Sequence, residues 1–202
     1  MKLSDVDYNK VTPMMRQYID IKKGHPDVMI FFRLGDFYEA FFEDAVLASR
    51  ELELTLTGRS AGLEERVPMC GVPHHAASAY IQRLVDHGHK VAIVEQLQDP
   101  SVAEGIVKRG VVQIITPGTM MDNGALDNNF ICALMSFDFH YSLAFCDLQT
   151  GEMMVETIEK KQHLLENEVL GMHVKEIVVP SLFNEEEYKT LQIRKLKTTW
   201  QT

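Results

Sequence analysis

Phe31-Phe32-Arg33-Leu34-Gly35-Asp36-Phe37-Tyr38-Glu39-Ala40-Phe41-Phe42 is the stretch on which the reading of this chain turns. The apolar run from Val28 to Phe32 has the length and branching of a buried strand. Gly35 breaks it. From Asp36 onward apolar residues recur at helical spacing (Phe37, Phe41, Ala45, Ala48), which predicts a helix reaching about Glu53. Asp36 and Glu39, three residues apart, have the spacing of a capping box that satisfies exposed backbone N–H groups. Such a cap would hold Phe37 and Glu39 in the first helical turn, at the mouth of a strand–helix junction. These twelve residues carry more aromatic rings than one short helix face needs. The surplus raises the prospect of a ring directed at something outside the protein.

Working outward, Thr12-Pro13 reads as a helix start, with Thr as the cap and Pro at the first helical position; the helix ends near Gly24. After the Asp36 helix come a short strand, Thr55-Leu56-Thr57, and a polar turn from Gly58 to Glu65 with Arg59 and Arg66 near its ends. Two prolines and a glycine in Val67–Pro73 predict irregular backbone before a helix from about Ala76 to His87, closed by Gly88. Strands follow at Lys90–Leu97 and Val111–Thr116, with a turn at Asp99-Pro100 between them and a stop at Pro117-Gly118. Helices alternating with strands indicate an α/β domain over residues 1–118. Residues 119–129, rich in Asn, Asp and Gly, read as a linker. Residues 130–202 begin with three strands joined by short turns (Phe130–Phe137, Tyr141–Leu148, Met153–Ile158) and continue with a helix at Lys161–Leu170 and a strand at Glu176–Val179. That order resembles the first half of a ribonuclease-H-like domain.

Composition excludes several classes. The 202 residues, 46% hydrophobic, suit one domain or two small ones. No apolar run has the length to span a bilayer, and Met1-Lys2-Leu3-Ser4-Asp5 lacks the apolar region of a signal peptide. Cys70, Cys132 and Cys146, odd in number and widely spaced, suit buried thiols in a reducing cytoplasm, not a disulfide framework or a zinc site. The net charge of −9 divides unevenly: residues 1–118 carry 13 Lys+Arg against 16 Asp+Glu, or −3, and residues 119–202 carry 7 against 13, or −6. Any nucleic-acid surface must therefore be local, or be helped by parts of a larger protein.

Five motifs carry a resemblance to a known family. Thr12-Pro13-Met14-Met15-Arg16-Gln17-Tyr18, Phe32-Arg33-Leu34-Gly35-Asp36-Phe37-Tyr38-Glu39, Pro68-Met69-Cys70-Gly71-Val72-Pro73, Val91-Ala92-Ile93-Val94-Glu95-Gln96 and Thr116-Pro117-Gly118-Thr119 resemble, in order, the signatures of the bacterial MutS family of DNA mismatch sensors. The resemblance implies a mixed-sheet α/β mismatch-recognition domain with flanking helices over residues 1–118. It implies part of a ribonuclease-H-like connector over 130–202. It places the family's Phe-x-Glu mismatch-reading motif on Phe37 and Glu39, with Arg33, Arg59 and Met69 as candidates to flank the duplex. The implied partners are double-stranded DNA with mispairs or small unpaired loops, MutL through the connector, and a second subunit in the full-length protein. The implied setting is cytoplasmic and nucleoid-associated. ATP and Mg2+ would belong to a domain elsewhere in the full-length protein: no GxxxxGK[ST] phosphate loop occurs here, so this segment is expected to hold no cofactor and to be no enzyme.

The residue types suit that chemistry. A mispair stacks poorly, so opening its stack costs less than opening a paired step, which takes roughly a few kcal/mol. A flat apolar ring such as Phe37 can replace the lost stacking, and a neighbouring Glu39 can exchange a hydrogen bond with the displaced base. Specificity then rests mainly on deformability. The residues alone also allow plainer roles. Phe37 reads equally as a core ring, Glu39 as half of a helix cap, and Arg33 and Arg59 as solvated or salt-bridged. Tyr38 points elsewhere and reads as packing. The residues also admit two other function classes: a protein-interaction module centred on the second domain, and a magnesium nuclease using Asp36, Glu39, Glu43 and Asp44. Against the nuclease, the next lysine along the chain is Lys90, and Glu43-Asp44 read as a solvated helix face.

Overall fold

The computed structural model describes residues 1–98, 105–120, 129–180 and 197–200. The chain forms two units, Met1–Thr116 and Pro117–Thr202, both mixed α/β. Asp99-Pro100 and most of the expected linker lie outside the described residues.

In the first unit Pro13 opens helix α1 (Pro13–Gly24), and the Thr12 hydroxyl accepts the Met15 N–H at 3.4 Å, as the Thr-Pro pair predicts. Strand β1 (Met29–Leu34) follows. The next element departs from the expected helix: Phe37–Phe41 is a strand, β2, and the helix, α2, spans Phe42–Leu52. Gly35 and Asp36 are the two central residues of a hairpin turn, flanked by the Leu34↔Phe37 pair, with Gly35 at φ +58°. Gly-Asp between two apolar runs is a two-residue hairpin signal. The capping box therefore does not form; the residue before the helix is Phe41, with no side-chain cap. Phe42, the first helical residue, has φ +54° and turns the chain from strand into helix without a loop.

Strands β3 (Thr57–Arg59) and β4 (Val67–Pro73) extend the hairpin on one side, β5 (Val91–Gln96) and β6 (Arg109–Ile115) on the other, in the order β3-β4-β2-β1-β5-β6. Arg59 thus sits in a strand, not in the polar turn. Val67–Pro73, expected to be irregular, pairs with both β2 and β3; its prolines tolerate this because Pro68 and Pro73 sit near the strand ends. β1 and β5 are parallel and the other pairs antiparallel. Helix α3 (Ala77–Asp86) precedes β5 and closes at Gly88, φ +77°.

Pairing and burial divide the side chains between two faces. Ile30, Phe32, Phe41, Ala92 and Val94 share a core with Met15, Tyr18 and Ile19 of α1. Ala40, Cys70 and Val72 lie on the other face, which meets α2 and α3; Cys70 Sγ lies 3.4 Å from the Ala45 carbonyl oxygen. Burial pushes the Cys70 thiol up to about 11, so it remains protonated at neutral pH. Asp44, expected on a solvated face, is buried. Its carboxylate accepts the Ile30 N–H at 3.0 Å, the Tyr18 hydroxyl at 3.1 Å and Lys22 Nζ at 2.8 Å.

The second unit has the sheet order β11-β10-β7-β8-β9. β7 (Phe130–Ser136), β8 (His140–Asp147) and β9 (Met153–Glu159) form an antiparallel meander. β10 (Glu176–Val179) pairs in parallel with β7, and β11 (Lys197–Trp200), not anticipated from the sequence, pairs in parallel with β10. A meander extended beside its first strand by two parallel strands is the ribonuclease-H-like arrangement. Helix α4 (Gln162–Gly171) contributes Leu165 and Val169 to a core with Phe130, Leu134, Leu143, Phe145 and Ile177. No helix among the described residues is long and apolar enough to cross a membrane.

Two outcomes follow from these buried carboxylates. Asp44→Ala takes the acceptor from the Ile30 N–H and one of two acceptors from each of Tyr18 and Lys22, and should destabilise the first unit by about 3 kcal/mol in chemical denaturation. In the second unit, the Gln149 N–H at 2.8 Å and the Thr150 N–H hold the Asp147 carboxyl below the ordinary aspartate range. Stability from a lowered carboxyl is present above its ordinary pKa and is lost as the pH falls through the lowered one. Asp147→Asn should therefore melt below the wild type at neutral pH, with the gap closing in thermal melts as the pH falls below the ordinary aspartate range.

Candidate nucleic-acid interface

The β1–β2 hairpin carries the site. Strand alternation puts Phe37, Glu39 and Phe41 on one face of β2 and Tyr38 and Ala40 on the other. Along the first face exposure falls steeply: Phe37 at the turn is 47% exposed, and Phe41 at the helix junction is fully buried against Tyr18. One face of one strand thus runs from solvent to core in five residues. Phe37 is the only one of the stretch's aromatic rings left exposed.

Glu39 lies between those extremes. Its strand neighbours are Phe32 on β1 and Gly71 on β4. Gly71 leaves room for it: a Cβ there would come within 3.3 Å of Glu39 Cγ and 3.2 Å of the Tyr38 carbonyl oxygen. The Glu39 side chain is only 13% exposed, and its Oε2 accepts a hydrogen bond from Arg59 Nη1 at 2.5 Å. Arg59 reaches it from β3, where it pairs with Val67. Met69, half-buried, sits across from Phe41 and from Thr57, whose hydroxyl donates to the Met69 carbonyl at 3.1 Å. Four of the residues expected at the interface (Phe37, Glu39, Arg59 and Met69) therefore share one face of the sheet.

Arg33 does not join them. It pairs across the hairpin with Tyr38, on the opposite face. There the Tyr38 hydroxyl donates to Glu95 Oε1, Arg33 Nη1 lies 3.8 Å from the same oxygen, and the Arg33 guanidinium lies over the Tyr38 ring at 5.6 Å. Burial and the Glu95 carboxylate push the Tyr38 phenol up to about 12. Tyr38 is the packing residue its alternation predicts, and Arg33 takes the salt-bridged role.

Arg109 on β6 was missed by sequence reasoning. Its guanidinium lies 5.3 Å over the Phe32 ring, and Nε donates to the Arg33 carbonyl at 2.8 Å. Burial, and then the like charge of Arg59, lower its pKa. Arg109 pairs with Gln96 at the end of the β5 ladder, and only that long-range register brings it to the Glu39 face. Nothing in its local sequence signals this. The carboxylates grouped in the sequence do not converge: Glu39 faces Arg59, Asp44 is buried with Lys22, and Glu43 accepts the Leu3 N–H. Among the described residues no three His, Cys, Asp or Glu side chains are placed to hold a metal ion.

The model of MutS domain I matches residues 12–124 and that of MutS domain II residues 129–201. The chain belongs to the MutS family. It is 58% identical over 156 residues to the DNA mismatch repair protein MutS of Alkaliphilus metalliredigens, an alignment covering 76% of this chain and 18% of that protein. With the MutS of Bacillus velezensis it shares 52% identity over 186 residues, covering 91% of this chain and 22% of the relative. With that of Desulforamulus reducens it shares 52% over 188 residues, covering 90% and 22%. The chain thus spans about a fifth of the length of these MutS relatives.

The crowding at Gly71 gives a direct check on this geometry. Gly71→Ala must displace either the β2 backbone or Glu39. It should destabilise the first unit by about 1 kcal/mol in urea denaturation.

Proposed function

We propose that this chain is the mismatch-reading part of a DNA mismatch repair protein, with Phe37 as a wedge and Glu39 as the partner of the displaced base. The observation that supports it best is an exposed aromatic ring held on a two-residue turn beside a carboxylate, in a member of the MutS family. A ring in a core gains nothing further from DNA; a half-exposed ring gains its remaining burial when it enters a base stack. The antiparallel partner Leu34 and the Gly35 turn restrict where the ring points, so little ordering cost is left for binding. A mispaired step opens more cheaply than a paired one, and the wedge converts that difference into preference.

Met69 and Arg59 border the wedge on the same face and would meet the duplex beside it. Arg33, engaged with Glu95 and Tyr38, would act from behind the hairpin instead. The family resemblance also supports further proposals for the full-length protein: contact with MutL through the second unit, a homodimer, and a cytoplasmic, nucleoid-associated place of work. ATP and Mg2+ belong among those proposals. No GxxxxGK[ST] loop occurs in this chain, so their site is assigned to another part of the full-length protein.

Phe37→Ala tests the wedge in the full-length protein. Heteroduplex binding should weaken by about 1–3 kcal/mol, the worth of one aromatic–base stack, with homoduplex binding little changed. Thermal stability should hold within about 0.5 kcal/mol, since the ring is half in solvent. A variant that melts earlier yet still discriminates would return Phe37 to the core.

A further inference from the structure

A carboxylate at a DNA-reading site faces repulsion from every phosphate, matched or mismatched. In this structure Glu39 does not stand alone: it is paired with Arg59, a residue from a different strand and exposed to 36% along its side chain. We propose that Arg59 is a specificity-determining residue that exchanges partners, held by Glu39 in the free protein and passed to a backbone phosphate only when a displaced base takes its place at Glu39. This deepens the wedge reading and rests on it.

Three features support the exchange. Arg59 and Glu39 form a neutral pair at the site, so the free protein meets a duplex without a bare carboxylate. Guanidinium binds carboxylate and phosphate with the same planar fork of donors, so one ligand can replace the other without a change of chemistry. Arg109 is a second cation on this face, and its guanidinium is fixed over Phe32 and to the Arg33 carbonyl. Arg109 is anchored and Arg59 is the one placed to leave. On a matched duplex no base reaches Glu39, and releasing Arg59 would leave a carboxylate unpaired near phosphate, so the pair stays closed. On a mispair the base replaces Arg59, and Arg59 adds a phosphate contact. Base reading and backbone grip are thereby coupled through one side chain.

The coupling has a signature in salt dependence, because each phosphate contact adds about 0.9 to the slope of log K against log salt. The experiment measures binding of a G·T heteroduplex and its matched control across a salt series for full-length wild type, Glu39→Gln, Arg59→Ala, the double variant and Phe37→Ala. For the wild type the heteroduplex slope should exceed the homoduplex slope by about one unit. In Glu39→Gln the homoduplex should bind more tightly and its slope should rise to meet the other. In Arg59→Ala both slopes should be shallow and equal. Glu39→Gln should give no homoduplex gain when Arg59 is already Ala. Equal wild-type slopes would overturn the exchange. So would an undiminished Glu39→Gln gain in the Arg59→Ala background, which would mean that removing the carboxylate's charge acts by itself. Phe37→Ala keeps the two readings apart: full discrimination in that variant sinks the wedge, whereas lost discrimination with equal wild-type slopes sinks only the exchange.

Discussion

The buried carboxylate of Asp44 is the constraint on which the first unit depends. It gathers a backbone N–H from β1, a hydroxyl and an ammonium from α1, and is itself carried in the first turn of α2. An isolated buried charge would cost far more than it returns; three donors, one of them the Lys22 ammonium, make it tolerable, and in return it fixes where three elements meet. The strand-to-helix handover is consequently pinned at Phe41-Phe42, even though Phe42 must adopt φ +54°, a conformation costing a bulky residue about 1–3 kcal/mol. The Phe42 ring, packed beside Tyr18, helps to hold it there. With one end of β2 pinned by Asp44 and the other set by the Gly35 turn, the strand has five residues and a fixed alternation. Phe37 then falls at the open end of a face whose other end is core.

How legible this was in the sequence depends on the range of the information involved. The alternation of helices and strands, the Thr12-Pro13 cap, the apolar strands at β1 and β5 and the three-stranded meander all follow from local pattern, and all are present. The Asp36 helix failed because Phe37, Phe41, Ala45 and Ala48 satisfy a helical period while Phe37 to Phe41 form a strand. The Gly-Asp turn between two apolar segments was the better signal, and the helical period belongs only to the part after Phe42. Asp44 looked like a solvated charge because its partners lie at positions 18, 22 and 30, on other elements. Pro68 and Pro73 suggested irregular backbone because sequence alone does not show that they fall near the ends of a strand.

The site divides in the same way. The types and spacing of Phe37 and Glu39 were readable, and the exposed ring fits that reading. Arg33 and Arg59 look equivalent in sequence, and only the register of the sheet separates them: Arg33 pairs with Tyr38 on one face, and Arg59 reaches Glu39 on the other. Arg109 was invisible for the same reason, since it joins the site through a pairing with β5.

The two faces of the hairpin also divide the work. Each has an arginine and a glutamate, but the environments differ. Behind the turn, Arg33, Glu95 and the buried Tyr38 form a closed set in which the phenol donates to the carboxylate and the guanidinium covers the ring. A set with three mutually satisfied members resists rearrangement, because moving one leaves the others with unmet polar groups. On the Phe37 side the arginine is the more exposed of the two, 36% along its side chain against 17% for Arg33, although Glu39 is more buried than Glu95. The proposed wedge needs a rigid back, so that force on Phe37 would bend DNA and not the hairpin. A reader needs a partner it can release. The same ion-pair chemistry would serve both proposed needs, and the greater exposure of Arg59, which leaves it within reach of a phosphate, separates the two pairs.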